Sequence, residues 1–365
     1  MIQSLQLDKF TVFQSATFRF GKHLNIIAGE NGTGKTHVLK ALYSGIAASA
    51  KVSGGYGARS WGVGPFGGES LESALAAKFQ GVFGPDRLGN LVRRGQGKAR
   101  LRFSFADSAM DFSFSLSGAG GERGAIAVQS APSQFIEKRP VYLPTRELLT
   151  VYPGFVSLYE TTHLPFEETW RDTCLLLGAP LVRGEREKKV LALLAPLEAA
   201  MGGRIVLDQS GRFSLHLPSG PLEVHLVAEG LRKLGMVAQL IANASLLGDG
   251  YLFWDEPEAN LNPRIVKGLA RSIFEISQGG VQVFVATHSL FLLRELYLLH
   301  RTAFERCDVR YFGLHSRKSG SVQVKQGVSE DDMGDIASLD EELLQSDRYL
   351  NVEMGFAAAE PVEAE

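Results

Sequence analysis

Cysteine is nearly absent from this 365-residue chain: Cys174 and Cys307 are the whole supply. Two thiols exclude a disulfide scaffold and a cysteine-ligated zinc site, and they fit a reducing compartment. Excess charge is missing too. Lys and Arg number 38 against 40 Asp and Glu, a net of −2, so no global basic field draws the chain to nucleic acid or membranes. Any such contact has to come from a local patch. Long apolar runs are also lacking; the richest, Leu234 to Leu247, is broken by Gln239, Asn243 and Ser245, short of the roughly 20 residues that span a bilayer. Met1 to Phe10 shows no apolar stretch behind a basic start and does not read as a signal peptide. Sustained heptads and internal repeats are absent, which excludes long coiled-coil arms. These absences predict a soluble, cytoplasmic protein with no membrane contact.

What is present is ordinary in bulk. A hydrophobic share of 45% and a charged share of 21% suit a globular protein with a sizeable core. Glycine, at 40 residues, is the outlier, and Ser53 to Gly68 is dense in it, the pattern of a mobile surface loop. Residues 2 to 20 alternate as two strands of a hairpin. Leu24 to Ala28 is a compact apolar strand, and a helical pattern carrying Val38, Leu39 and Leu42 follows. Around Leu101 to Phe105 and Phe112 to Leu116, apolar and polar residues alternate, predicting strands with one buried face. Pro140 to Leu143 reads as a strand, 155 to 201 as helical with a charged section at Arg183 to Lys189, and Arg204 to Leu217 as a hairpin. The last 110 residues or so alternate strand and helix as a parallel sheet does. Residues 352 to 365 look disordered.

Three motifs carry chemistry. Gly29-Glu30-Asn31-Gly32-Thr33-Gly34-Lys35-Thr36 lies between a strand and a helix and matches the loop that cradles phosphates. Its glycines let successive N–H groups turn inward, and the following helix offers its positive end. Asn31, Gly32, Thr33, Gly34, Lys35, Thr36 and the adjoining His37 are the candidate ATP-binding set, with Lys35 on the β- and γ-phosphates and Thr36 on Mg2+. Tyr251 to Asp255, then Glu256, is an apolar strand ending in two acids, at the sheet edge where ligands bind. Asp255 is a candidate metal residue and Glu256 a candidate general base. A third strand, Val281 to Ala286, ends at Thr287-His288-Ser289. Crossing one helix returns the chain to the same edge, where His288 can sense the γ-phosphate and orient water with Glu256.

With these motifs in order, the chain resembles the ABC-type ATPase heads, in the branch of SMC, RecF and OLD proteins and of the AAA-labelled, ABC-like ATPases of bacterial defence. The resemblance rests on residues 1 to 50 and 220 to 300. It implies an α/β P-loop NTPase fold: a mostly parallel sheet flanked by helices, an antiparallel β subdomain and a helical insertion. The implied division is an ATPase core at 1–50 and 220–328, a glycine-rich loop and β-rich subdomain at 51–147, a helical insertion and hairpin at 148–219, a C-terminal helix at 329–351, and the tail. Asp255 to Pro263 resembles the family's acidic motif and D-loop, with Asn260 and Asn262 in the latter. Ala228-Glu229-Gly230 falls where its signature belongs, opening a helix at 231 to 246 and facing the γ-phosphate of a second copy. Ala228 stands where the family has a serine and Glu229 where it has a glycine, leaving the Gly230 N–H and the helix N-terminus as an anion site.

The resemblance further implies ATP and Mg2+ as cofactors, a homodimer or larger assembly closed around ATP, and a separately encoded effector protein. The stretch after His288 is too short for the TOPRIM nuclease of OLD proteins, so the expectation is a head without its own nuclease. A glutamine that watches the metal is not evident; Glu147 stands either for it or for an exposed loop acid. Arg93, Arg94, Lys98, Arg100 and Arg102 are either a patch for DNA or an acidic partner, or a solvated strand face. The acids Glu330, Asp331, Asp332 and Asp335 read as a charged helix start, and His216 and His225 as structural.

Overall fold

The structure, a computed structural model, describes residues 1–53, 69–118, 125–162, 164–182, 187–317 and 320–354. Most of the glycine-rich loop, residues 183–186 of the charged section, and 355–365 of the tail lie outside the described residues.

In chain order, β1 (Ile2–Phe10) and β2 (Phe13–Arg19) form a hairpin, and β3 (Leu24–Gly29) runs through the phosphate-loop motif into α1 (Lys35–Val52). Then come α2 (Leu71–Phe83), β4 (Lys98–Phe105), β5 (Phe112–Ser117), β6 (Ile126–Ser130) and the short β7 (Val141–Leu143). Helices α3 (Tyr152–Thr161), α4 (Glu168–Leu177) and α5 (Glu187–Met201) precede a meander of β8 (Arg204–Leu207), β9 (Phe213–Leu217) and β10 (Gly220–Glu223). The remainder is α6 (Glu229–Ala242), β11 (Gly250–Asp255), α7 (Pro263–Gln278), β12 (Val281–Thr287), α8 (Leu290–Thr302), β13 (Val309–Ser316), β14 (Val322–Gly327) and α9 (Ala337–Glu353).

The main sheet has the order β14-β13-β3-β12-β11-β7, parallel except for β14. Its central strands are buried on both faces and mostly apolar, with Asn25 of β3 and Gln282 of β12 as buried polar exceptions. Leu24, Ile26, Leu252, Trp254, Val283 and Val285 face one core with α6, α7 and α8. Ile27, Tyr251, Phe253, Phe284 and Phe312 face a second core, shared with α1, α2 and the antiparallel sheet β2-β1-β4-β5-β6. Helix α1 is thus held between two sheets, and most of its residues are buried. The register sets Asp255 beside Ala286 and Thr287 beside Ala28. The ends of β3, β11 and β12 therefore share one edge.

The first hairpin forms as expected, and it joins the antiparallel sheet through pairing of β1 with β4. Several expectations are corrected by packing. β5 is buried on both faces, not one. Its Ser113 and Ser115 lie across from Arg102 and Arg100, whose long stems can cover a small neighbour. Helix α2, unread in the sequence, carries its own caps: Ser70 accepts from the Ser73 N–H, and Gly84 closes the end in the left-handed region. α6 starts at Glu229 and ends at Ala242, against the 231 to 246 expected. α9 extends to Glu353, so residues 352 and 353 of the supposed tail are helical. The acids at Glu330 to Asp332 adjoin a single 3-10 turn, where Asp332 caps Val328 and Ser329.

Buried charge fastens α4 to α1 and α2. Lys78 on α2 reaches Glu168 at 2.6 Å and Asp172 at 2.5 Å on α4, and the Tyr43 hydroxyl of α1 donates to Asp172 at 2.6 Å. Lys40 on α1 pairs with Glu167 at the start of α4. Losing one partner of such a set strands the other, which is why pairs of this kind are costly to break.

Candidate functional site

The loop between β3 and α1 takes a shape only its glycines permit. Gly34 has φ +93°, and a Cβ there would lie 2.7 Å from Val12 Cγ2 in the β1–β2 turn. Asn31 and Gly32 are exposed at the mouth. Thr33 is buried and spends its hydroxyl on the Glu30 carbonyl at 2.8 Å. Lys35 folds back on the loop, donating to the carbonyls of Gly29 at 2.7 Å and Glu30 at 3.0 Å. Burial lowers its pKa against the pull of Glu256 and Asp255. His37 is half-buried beside the Phe83 ring, with its pKa lowered by burial and by Lys40.

Across the edge, the Thr36 hydroxyl donates to Asp255 Oδ2 at 2.9 Å. Asp255 is 8% exposed, and burial raises its pKa, opposed by Thr36, Lys40 and Lys35. Tyr142, on β7, is buried, and burial and the nearby Asp255 carboxylate push its pKa well up. Glu256 follows in the left-handed region, φ +47°, a strain of about 1 kcal/mol for a residue with a side chain. Its N–H donates to the Ala286 carbonyl at 2.9 Å, and its Oε1 lies 3.0 Å from His288 Nδ1. Lys35, Thr36, Asp255, Glu256 and His288, drawn from three strand ends, thus form one cluster.

These residues fit ATP and Mg2+. A buried lysine held only by backbone carbonyls can turn to phosphate. A hydroxyl and a buried carboxylate in contact are the oxygen donors that Mg2+ takes, and a cation would relieve the desolvated acid.

The second candidate segment stands apart. No hydrogen bond or ion pair among the described residues joins Ala228, Glu229 or Gly230 to the loop of Gly29 to Thr36. Ala228 is the residue before α6 and offers no side-chain cap. Asn260 Nδ2 donates to Glu229 Oε1 at 3.0 Å. Gly230 is required by close approach: a Cβ there would lie 2.8 Å from the Asn260 carbonyl oxygen. Asn262 caps α7, accepting from the Ile265 N–H at 3.1 Å. Ala228, Gly230, Asn260, Asn262 and Arg264 line an open groove of about 560 Å³.

Two other candidates change character. Glu147 is buried, and its carboxylate accepts from Leu149 N at 2.8 Å, Thr150 N at 3.2 Å and Thr150 Oγ1 at 2.7 Å, with Arg232 Nε at 3.1 Å. It is not an exposed loop acid: its oxygens cap the chain turn after β7 and pair with Arg232 of α6. Arg93 leaves the basic patch: its guanidinium donates to the carbonyls of Val12 at 2.6 Å and Gly320 at 2.8 Å, clamping the turn that roofs the phosphate loop. Arg94, Lys98, Arg100 and Arg102 remain exposed, the last three on one face of β4.

Residues unflagged in the sequence complete the arrangement. Lys233 of α6, 2% exposed, donates to the carbonyls of Glu256 at 2.8 Å and Ala259 at 3.2 Å. Burial lowers its pKa to about 8, against the acids around it. Glu258, raised by burial, accepts from the Thr287 hydroxyl at 2.5 Å. A charged residue on the apolar face of a helix was the available signal for Lys233.

Solved structures share the architecture. An SMC head bound to the C-terminal winged-helix domain of ScpA matches with TM-score 0.54 and 16% identity over 91% of this chain and 99% of that one. An SMC head with an extended coiled coil, bound to the C-terminal domain of ScpA derived from Pyrococcus furiosus, matches with TM-score 0.51 and 14% identity over 95% and 99%. Among the described residues no helix is long and apolar enough to cross a membrane. Residues 24–294 match the family model described as "AAA domain, putative AbiEii toxin, Type IV TA system". That span is most of the chain and takes in all three motifs: the chain belongs to this family and has the fold of an SMC-type, ABC-like ATPase head.

Proposed function

We propose that the protein hydrolyses ATP to ADP and phosphate with Mg2+, closes head to tail on a second copy around ATP, and gates a separately encoded effector, a nuclease or toxin, in bacterial phage defence. The observation that carries the reading is the cluster in which Thr36 meets Asp255 at 2.9 Å and Glu256 meets His288 at 3.0 Å. The family's description as a toxin–antitoxin component and the SMC heads solved with ScpA support a protein partner.

In this reading Lys35 exchanges its carbonyl partners for the β- and γ-phosphates, and Thr36 and Asp255 hold the metal. Bound there, Mg2+ supplies charge neutralisation of the phosphates. Glu256 accepts the proton of the attacking water; an Nδ1–H of His288 fixes the carboxylate and leaves Nε2 toward the water or the terminal phosphate. The second copy brings Gly230 and the α6 N-terminus to that phosphate. Ala228 offers no hydroxyl, and Arg264 in the same groove supplies a cation in its place.

The test is capture from native lysate with Glu256→Gln, ATP and Mg2+, read by mass spectrometry and for bound nucleic acid. A stoichiometric protein partner held differently with ADP supports gating; its absence overturns it. A second reading, a RecF-like clamp on DNA in repair, is favoured by Lys98, Arg100 and Arg102 on one exposed strand face. It requires DNA to accelerate turnover and charge reversal at Arg100 and Arg102 to abolish that effect.

A further inference from the structure

Three pieces of the proposed machinery are joined by one side chain. α6 begins at Glu229, in the segment that would meet the second copy's nucleotide. One turn further on, Lys233 is 2% exposed and donates to the carbonyl of Glu256 at 2.8 Å and of Ala259 at 3.2 Å. The first acceptor belongs to the candidate base, whose backbone is strained at φ +47°; the second lies in the D-loop. At its outer end the same helix is locked to that loop by the Glu229–Asn260 hydrogen bond of 3.0 Å and by the close approach of Gly230 to the Asn260 carbonyl. Beneath, Glu258 takes the Thr287 hydroxyl at 2.5 Å, next to His288. α6, the D-loop and the Glu256 turn are therefore one mechanical unit, with Lys233 as its only charged link to the Glu256 backbone among the described residues.

We infer that Lys233 is a positioning residue, through which engagement of the α6 N-terminus by a second copy's nucleotide sets the backbone, and so the carboxylate, of Glu256 in its own site. The inference rests on the ATP-closed dimer proposed above and adds a regulatory connection between its two sites. The physical argument is that a left-handed, non-glycine backbone persists only where its surroundings over-determine it. Here the Glu256 N–H is held by the Ala286 carbonyl, and the Glu256 carbonyl by the Ala259 N–H at 3.1 Å within the turn and by the Lys233 ammonium from α6. A sub-ångström shift of α6 acts on the last of these. Packing alone does not call for a charge at this position, since burying an ammonium costs more than burying a methionine of similar length.

The experiment compares ATP turnover, binding of a fluorescent ATP analogue and ATP-dependent dimerisation in wild type, Lys233→Met, Glu256→Gln and the double variant. Lys233→Met is expected to lower kcat about tenfold or more while KM and ATP affinity stay within about twofold, and to cause no further loss in the Glu256→Gln background. Unchanged kcat overturns the inference, and so does an additive loss in the double variant or a parallel loss of ATP affinity, since a merely structural role produces those. Should Lys233→Met fail to fold, Asn260→Ala loosens the same unit at its exposed end. It must lower kcat at concentrations where the dimer forms, and unchanged kcat there overturns the inference. Wild type that turns over no ATP, or does so without dependence on protein concentration, removes the dimer reading itself and this connection with it.

Discussion

Lys35 and Lys233 are 6% and 2% exposed, and each ends on two backbone carbonyls. Yet they sit in regions built for opposite purposes. Around Lys35 the loop is open: Asn31 and Gly32 are exposed, and the acceptors of Lys35 belong to the loop itself. Those bonds can be traded for phosphate without moving a helix. Lys233 has no such mouth. Its acceptors lie on the turn after β11, and Glu258, Glu256, Glu229 and Asp255 all hold its charge in place. In the proposed mechanism, the difference separates a lysine that binds from a lysine that wires. Burial alone does not distinguish them; what the acceptors are attached to does.

The comparison breaks most severely at Lys35. Lys35→Ala deletes the charge proposed to meet the phosphates and is expected to weaken ATP binding by about 100-fold, the scale of a charge-assisted contact worth roughly 3 kcal/mol. A fluorescent nucleotide titration reads it. Affinity within a few-fold of wild type would mean the loop does not hold phosphate. Lys233→Met, by the contrast drawn above, leaves affinity in place.

The groove side is tested next by Arg264→Glu, which reverses the charge beside Ala228 and Gly230. ATP binding to the single copy should be unchanged, while ATP-dependent dimerisation of the Glu256→Gln background weakens about tenfold, measured by light scattering. Equal dimerisation would remove Arg264 from the interface. Backbone geometry gives a third contrast of about 1–3 kcal/mol. Gly34→Ala meets Val12 at 2.7 Å with φ +93°, whereas a Cβ on Gly32 meets nothing within 4 Å. Denaturant midpoints should therefore fall clearly for Gly34→Ala and less for Gly32→Ala, where only the left-handed strain of roughly 1 kcal/mol applies.

The two regions also differ in how much of them can be read along the chain. The loop, the acids after β11 and the histidine after β12 are local signals, each a strand end with chemistry attached. Parallel pairing brings such ends to one edge: the single helix α7 joins β11 to β12, and β3 pairs in parallel with β12. The wiring is different because its partners are distant. Arg93 looks like part of a basic run until its guanidinium is found on Val12 and Gly320. Glu147 follows a strand end as a metal residue would, but it is turned inward to Thr150 and Arg232. Lys233 falls on the apolar face of α6 with Gly230, Leu234 and Val237, a visible anomaly, but nothing along the chain says that its partner is the turn at Glu256. Helix α2 went unread although its caps were in view, because the run of glycines before it reads as loop.

The smallest effect probes the proposed D-loop, where an observed helix cap and a proposed interface role fall on one residue. Asn262 closes the first turn of α7 by accepting from Ile265 N–H, and it also lines the groove. Asn262→Ala removes the cap and should lower stability by about 1 kcal/mol, so any loss of dimerisation in that variant is ambiguous. Asn262→Asp is not. Aspartate caps as well as asparagine, and its charge is favourable at a helix N-terminus, so the thermal midpoint should hold or rise slightly. The added negative charge nevertheless enters the groove that the second copy's phosphates would approach. A variant as stable as wild type whose ATP-dependent dimer is weakened several-fold assigns Asn262 to the interface. One that dimerises normally reduces it to a helix cap and confines the groove's electrostatics to Arg264.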